Sequence, residues 1–291
     1  MNRSDFIDWC AADHRALCQT PGYSPLIMGI LNVTPDSFYD GGQYSHPDAA
    51  YDHAQAMIAA GADVLDIGGE SSRPGAVAIS VEEELDRVLP VIERIRVVDP
   101  IALSIDTYKP QVMQAVITAG AACINDIYAL QMPGALEAVA DTDTPICLMH
   151  MQGMPQVMQD APHYEQEVVM DIDAFFEQRI TACVDAGIAR SRLILDPGFG
   201  FGKTVQHNLQ MVQRISQFQR HALPILLGVS RKSTIGKILD QPPEGRMVGG
   251  LTLAIYAMLV GVSIIRTHDV VETKQAFKML QEMRLSVGVA S

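Results

Sequence analysis

Eight short apolar runs in the chain each give way to polar or charged groups. These are Asn32, Glu70 with Ser72 and Arg73, Asp106, Asn125, His150, Asp196, Ser230 with Arg231 and Lys232, and Arg266 with His268. Carboxylates only accept hydrogen bonds, ammonium and guanidinium groups only donate, and amides do both, so together they line a mouth with donors and acceptors. Taken singly, Asp, Asn or Ser at a strand-to-helix junction is an ordinary helix cap. Cations such as Lys232 and Arg266 cannot serve as N-caps, so the convergence calls for a chemical explanation.

Familiar motifs fail at these positions. Asp196 to Thr204 resembles a phosphate-binding Walker loop, but the first glycine would fall at Pro197, and its G-x-G-x-G spacing is not that of a dinucleotide fingerprint. Gly228-Val229-Ser230-Arg231 stops short of the G-x-S-x-G nucleophile elbow. No H-E-x-x-H or clustered His/Cys set marks a tightly held catalytic metal.

The elements that must position these groups follow from the pattern. The runs Leu26 to Leu31, Val64 to Ile67, Ile101 to Ile105, Ala121 to Ile124, Ile146 to Met149, Leu193 to Leu195, Ile225 to Val229 and Val262 to Ile265 are near-continuous, as in parallel strands buried on both faces. Helical periods lie between them. Ser80 and Glu83 read as a capping box ahead of Leu85, Val88, Leu89, Ile92 and Ile95. Pro47 opens a helix that buries Ala50, Ala54 and Met57, and Asp269 and Glu272 read as the cap of a last helix directing Ala276, Phe277, Leu280 and Met283 inward. The repeat is about 33 residues, one βα unit. The expected fold is a single-domain (β/α)8 TIM barrel over residues 25–291, with a doubly wound sheet second and residues 1–24 as an extension across the bottom face. In such a barrel the active site lies at the C-terminal ends of the strands, where the polar residues fall.

Composition narrows the function. The 291 residues include 48% hydrophobic and 19% charged residues, with a formal net charge of -13. That is a core-forming, acidic chain rather than a disordered one. It argues against nucleic acid as a partner and against a polybasic membrane surface. The 19 uncharged residues from Met247 to Ile265 are long enough to span a bilayer, but Gly249, Gly250 and Gly261 favour a helix to about Leu259, a glycine stop and a buried strand. Five widely spaced cysteines without C-x-x-C pairs read as reduced thiols, and the expected location is cytoplasmic. The acidic total should repel anionic substrates, unless Arg73, Lys203, Arg231, Lys232, Arg266 and His268 form a local basic mouth.

Several ordered blocks resemble the bacterial dihydropteroate synthase family. They are Gly29 to Phe38, Asp66 to Gly75, Ser104 to Thr107, Ile124 to Ile127, Leu148 to Gly153, Asp196 to Lys203, Gly228 to Ser233 and Arg266 to Asp269. The resemblance spans residues 28–273. It implies a barrel, usually a homodimer and a sulfonamide target, that joins a dihydropterin methyl diphosphate to p-aminobenzoate and releases pyrophosphate for folate biosynthesis.

The resemblance also distributes roles. Asp106, Asn125, Asp196 and Lys232 contact the pterin edge, Met149, Ile127 and Phe201 give apolar faces, and Arg266 stacks on the ring. Asn32, Ser72, Arg73, Arg266 and His268 take the pyrophosphate, with Asn32 at Mg2+. Phe38, Ser72, Arg73, Pro74, Phe201, Ser230 and Lys232 take p-aminobenzoate. Asp106, Lys232, Arg266 and His268 carry the catalytic roles, Asp106 as a fixed anion beside a cationic pterin methylene in a dissociative substitution. Ser72 stands where the family commonly has threonine. Two other readings are a pterin-dependent methyltransferase and a non-catalytic pterin-binding paralogue. The pyrophosphate set argues against the first and the intact motifs against the second.

Overall fold

Alternating outward and inward residues on parallel strands build the molecule. The computed structural model describes residues 1–20, 22–34, 46–71, 77–153 and 162–287. Their order is α1 (Arg3–Cys10), α2 (His14–Leu17), β1 (Leu26–Asn32), α3 (His46–Ala59), β2 (Val64–Gly68), α4 (Val81–Val98), β3 (Ala102–Asp106), α5 (Pro110–Thr118), β4 (Cys123–Asp126), α6 (Ala135–Ala140), β5 (Ile146–Met149), α7 (Val168–Asp185), β6 (Leu193–Asp196), α8 (Val205–Gln213), β7 (Leu226–Gly228), α9 (Ser233–Leu239), α10 (Met247–Leu259), β8 (Ile264–Thr267) and α11 (Val270–Val287). Every ladder is parallel, in the spatial order β6-β5-β4-β3-β2-β1-β8-β7. A single bridge, Leu195 to Ile225, closes the ring between β6 and β7. The fold is a (β/α)8 barrel.

One set of strand residues, including Ile27, Leu31, Leu65, Ile67, Leu103, Ile105, Leu148 and Leu195, packs with the helices. The alternate set faces the axis, with Met28, Val64, Ala102, Cys123, Cys147, Ile194, Leu226 and Ile264 as a lower layer. Phe6 and Cys10 of α1 pack against that layer, with Trp9 beside them. The chain before β1 therefore seals the lower end of the barrel. No helix among the described residues is long and apolar enough to cross a membrane. The segment from Met247 instead forms α10, stops at the left-handed Gly261 and continues into β8.

Several local expectations change. Strands β3, β4, β6 and β8 run on through Asp106, Asn125, Asp196 and Arg266, because the ladder continues past the last apolar residue. Ser80 accepts from Glu83 N at 3.1 Å, but the Glu83 carboxylate turns to Arg87, leaving half a capping box. Asp269 does not cap α11 with its carboxylate, which accepts instead from Arg231 and Ser230. Met283 is 61% exposed rather than inward, while Phe277 is buried.

The seal under the barrel sets a stability test. Phe6→Ala should lower unfolding stability by about 3–5 kcal/mol, read from urea denaturation, because a fully buried ring beneath the axial layer leaves a void.

Candidate active site

Register brings the polar strand ends to one height. Asn32 pairs with Gly68, Gly68 with Asp106 and Asp106 with Asn125, which sets four adjacent strands in one layer at the upper rim. Across the ring, Met149 pairs with Asp196, and Gly228 with Arg266. Inward parity supplies the site: Asp66, Asn125, Met149, Asp196 and Arg266 lie at alternate positions above the apolar lower layer. Asn125, Asp196 and Met149 are buried, and Asn32, Asp106, Lys232 and Arg266 are half-buried.

Arg266 lies at the centre of the charge network. Its Nε donates to Asp66 Oδ2 at 2.6 Å and its Nη2 to Asp106 Oδ2 at 3.2 Å. Asp66 Oδ2 also accepts from Asn125 Nδ2 at 3.1 Å, which joins the β2, β4 and β8 side chains in one chain of contacts. Burial opposes the guanidinium charge, but Asp66 and Asp106 more than offset it and raise the Arg266 pKa. Burial also pushes Asp106 up to about 7, with Arg266 pulling it down and Asp66, Glu84 and Asp126 pushing it further up. Arg266 therefore favours the ionised form of Asp106, which still titrates near neutral pH with the guanidinium beside it.

A second charged group faces this one. Burial raises the Asp196 carboxyl, while Lys232, the Gly198 N–H, Lys203 and Arg266 counter the rise. Lys232 Nζ donates to the Phe199 carbonyl at 2.5 Å and lies 4.7 Å from the centre of the Phe201 ring. Burial lowers its pKa to about 8. An ammonium, a buried acid and an aromatic face thus meet between β6 and β7. Ile127 and Met149 are buried beside the layer and offer apolar surface.

At the β8 end, the Ser230 hydroxyl lies 3.0 Å from His268 Nδ1 and donates to Asp269 Oδ2 at 3.3 Å. Arg231 donates to Asp269 Oδ1 at 2.6 Å. Several cations expected to make a basic mouth are thus already compensated, and Lys203 is buried in the β6 loop rather than facing the opening. Phe38, Ser72, Arg73 and Pro74 lie outside the described residues. The Oδ1 of Asn32 and Oδ2 of Asp106 lie 3.6 and 3.9 Å from where a Cβ on Gly68 would stand, so two hard oxygens flank one gap. Among the described residues no group of three or more His, Cys, Asp or Glu side chains converges on a metal position.

Two features escape sequence reading. Asp66 sits within an apolar run and looks like an ordinary strand residue, although its inward parity with Met28 and Asn125 would have placed it on the axis. Lys109 Nζ donates to Glu70 at 2.6 Å, Glu84 at 2.7 Å and the Ile79 carbonyl at 2.7 Å, tying both flanks of residues 72–76 together. Nothing in the linear spacing of Glu70, Glu84 and Lys109 announces that knot.

The family model described as "Pterin binding enzyme" matches residues 28–268. The dihydropteroate synthase of Escherichia coli (strain K12) is 50% identical over 257 residues, covering 88% of this chain and 91% of that protein. A Yersinia pestis dihydropteroate synthase, solved with a sulfonamide drug, aligns with a TM-score of 0.84 at 50% identity, covering 90% of this chain and 94% of that one. A Xanthomonas albilineans dihydropteroate synthase in complex with 7,8-dihydropteroate aligns at 0.82 and 42% identity, covering 91% and 95%.

The buried network generates a pH-dependent test. Arg266→Met should lower stability by about 3 kcal/mol above neutral pH, because Asp66 and Asp106 lose their shared cation. A buried acid whose folded pKa is raised contributes less stability as pH rises through that value, and removing Arg266 raises it further. The deficit against the parent should therefore shrink between about pH 8 and pH 5.5 in urea titrations.

Proposed function

The chain belongs to the pterin-binding enzyme family, and we propose how its residues divide the dihydropteroate synthase reaction that it catalyses. That reaction joins a (7,8-dihydropterin-6-yl)methyl diphosphate to p-aminobenzoate, giving dihydropteroate and pyrophosphate. The carbon–oxygen bond to the diphosphate breaks, the leaving group keeps the electron pair, and the aniline nitrogen bonds the methylene carbon and loses a proton. The aniline nitrogen is neutral at pH 7, so no strong general base is needed and none is assigned.

The single observation that carries the division of labour is the inward layer of Asp106, Asn125, Asp196 and Arg266, with Lys232 facing it. Asp196 accepts from the amino-pyrimidinone edge, Lys232 donates to its carbonyl and a ring nitrogen, and Asn125 takes remaining ring positions. A buried heterocyclic edge needs matched partners, which these groups supply. Ile127, Met149 and Phe201 cover the ring faces. Asp106 stabilises positive charge as it develops on the ring and methylene, with Arg266 favouring its ionised form.

The leaving diphosphate is met by Asn32, Arg266 and His268, together with Ser72 and Arg73. Two of the three Arg266 nitrogens hold Asp66 and Asp106, which leaves Nη1 for a phosphate oxygen. A neutral amide oxygen at Asn32 beside Asp106 suits a Mg2+ ion that arrives with the diphosphate rather than a resident one. When bound, that ion disperses charge on the leaving group. Phe38, Ser72, Arg73, Pro74, Phe201, Ser230 and Lys232 form the p-aminobenzoate side. Exposed Val248, Leu259, Met279 and Met283 on α10 and α11 support a homodimer, and five free, buried cysteines suit a reducing cytoplasm.

Pyrophosphate release measured with each substrate alone and with both tests the reading. Release should need both substrates and Mg2+, and Asp106→Asn should slow turnover by about 100-fold while the protein stays folded. Full turnover in Asp106→Asn with unchanged pterin affinity would remove the charge-stabilising role.

A further inference from the structure

The loop after β6 holds a buried lysine that the reaction does not use. Its backbone lies hard against the end of β5. A Cβ on the left-handed Gly198 would stand 1.9 Å from the His150 carbonyl oxygen, and one on Gly202 would stand 2.4 Å from that of Gln152. The carbonyls in between turn towards ammonium groups. Gly198 O and Phe201 O accept from Lys203 Nζ at 2.9 and 3.1 Å, and Phe199 O accepts from Lys232 Nζ. Lys203 Nζ also lies 3.0 Å from His150 Nδ1, which joins the loop to β5. On the outer side, Asn208 of α8 accepts from Gly200 N at 2.7 Å and donates to Thr204 O at 2.8 Å.

We propose that Lys203 is a positioning residue of the pterin pocket. By gripping the Gly198 and Phe201 carbonyls and the His150 ring, it sets the loop that holds Lys232 near Asp196, and its charge favours the carboxylate form of Asp196. The inference rests on the pterin-binding roles of Asp196 and Lys232.

The cost of the arrangement points to the same role. Lys203 is 3% exposed, and its near contacts are carbonyl oxygens and an imidazole rather than a carboxylate. A buried ammonium without an ion-pair partner is unfavourable, and a neutral donor would bind the same carbonyls more cheaply. Retaining the charge is intelligible if a nearby acid uses it. Asp196 opens the same loop, with its Oδ1 accepting from Gly198 N at 2.8 Å. The groups facing Asp196 are the cations Lys232, Lys203 and Arg266, with the Cys147 thiol on β5. Those facing Lys203 are Asp196, Lys232, His150 and His207. Burial lowers Lys203 to about 7, so it is charged on the acid side of neutrality, where a buried carboxylate most needs support.

The test measures affinity for 6-hydroxymethylpterin by fluorescence titration of the full chain between about pH 5 and pH 7.5, in the parent, Lys203→Gln and Lys203→Met, with Asp196→Asn as control. Lys203→Gln keeps a donor and drops the charge, whereas Lys203→Met drops both. Both should move the acid-side loss of affinity to higher pH by about half a unit or more. Lys203→Met should also weaken binding about tenfold at the upper pH. Asp196→Asn should lack the acid-side step assigned to Asp196. The proposal is overturned if the parent binds the pterin and both variants keep its pH profile, or if Lys203→Met keeps parental affinity. If Lys203→Met does not fold, the profile of Lys203→Gln decides alone. A parent that does not bind the pterin overturns the pocket assignment itself, a result distinct from an unshifted profile.

Discussion

Everything at the upper end of this barrel depends on keeping buried carboxylates charged. Asp66 and Asp196 are buried and Asp106 half-buried, and a carboxylate's charge is costly to bury unless a cation stands close by. Arg266 serves the first two through separate nitrogens, and Lys232 with Lys203 serves the third. A guanidinium suits the first task, because its planar fork reaches two acids at once and keeps its proton. A lysine suits the second, because a compact ammonium can turn to backbone carbonyls while still acting electrostatically on Asp196. The two clusters adjoin at the rim, because β7 pairs with β8 and a Cβ on Gly228 would stand 3.6 Å from Arg266 Cβ and 3.8 Å from Lys232 Nζ.

The pattern that places those charges is strand parity. Successive side chains on a parallel barrel strand alternate between helices and axis, so one polar residue at an inward position enters the core whether or not its neighbours are apolar. Met28 lies in the apolar lower layer and Asn32, four residues on, lies at the rim. Cys123 and Asn125 make the same passage from lower layer to rim in two residues on β4. The lower layer is sealed by Phe6 and Cys10, and the upper layer is polar because it must meet a ligand. A barrel polar along its whole axis would lose the burial that holds the strands together.

Fold class was legible in the sequence for this reason. Near-continuous apolar runs at a steady βα spacing leave few alternatives, and glycines such as Gly61, Gly120 and Gly261 end helices where their left-handed backbone requires them. The strand-end residues were legible as well, because a charge closing an apolar run stands out against it. Contacts that depend on the third dimension were hidden. Asp66 lies between Leu65 and Ile67, which face the helices, so its axial position appears only when parity is followed along β2. Lys109, Glu84 and Glu70 meet across two loops, and no spacing rule joins residues of separate βα units. Lys203 counts in the sequence as one of the basic groups at the mouth, since it lies in a loop at a strand C-terminal end. The loop folds under itself instead, because glycine at 198 and 202 lets its backbone press against β5.

That error has a physical lesson about net charge. The chain carries 21 basic and 34 acidic residues, and a count of loop cations suggested that local attraction would overcome the acidic excess. In the folded protein the relevant quantity is the charge left after pairing. Arg231 is committed to Asp269, Arg266 to Asp66 and Asp106, and Lys203 to carbonyls. With those cations so committed, attraction for a diphosphate would rest on a few oriented donors close to it rather than on a broad basic field. Close donors also discriminate better, because their strength falls sharply when the ligand is displaced by an ångström or two, whereas a diffuse field would hold any anion. A site that must grip a diphosphate while its bond to carbon is intact and release it once that bond breaks is served by short-range contacts of this kind.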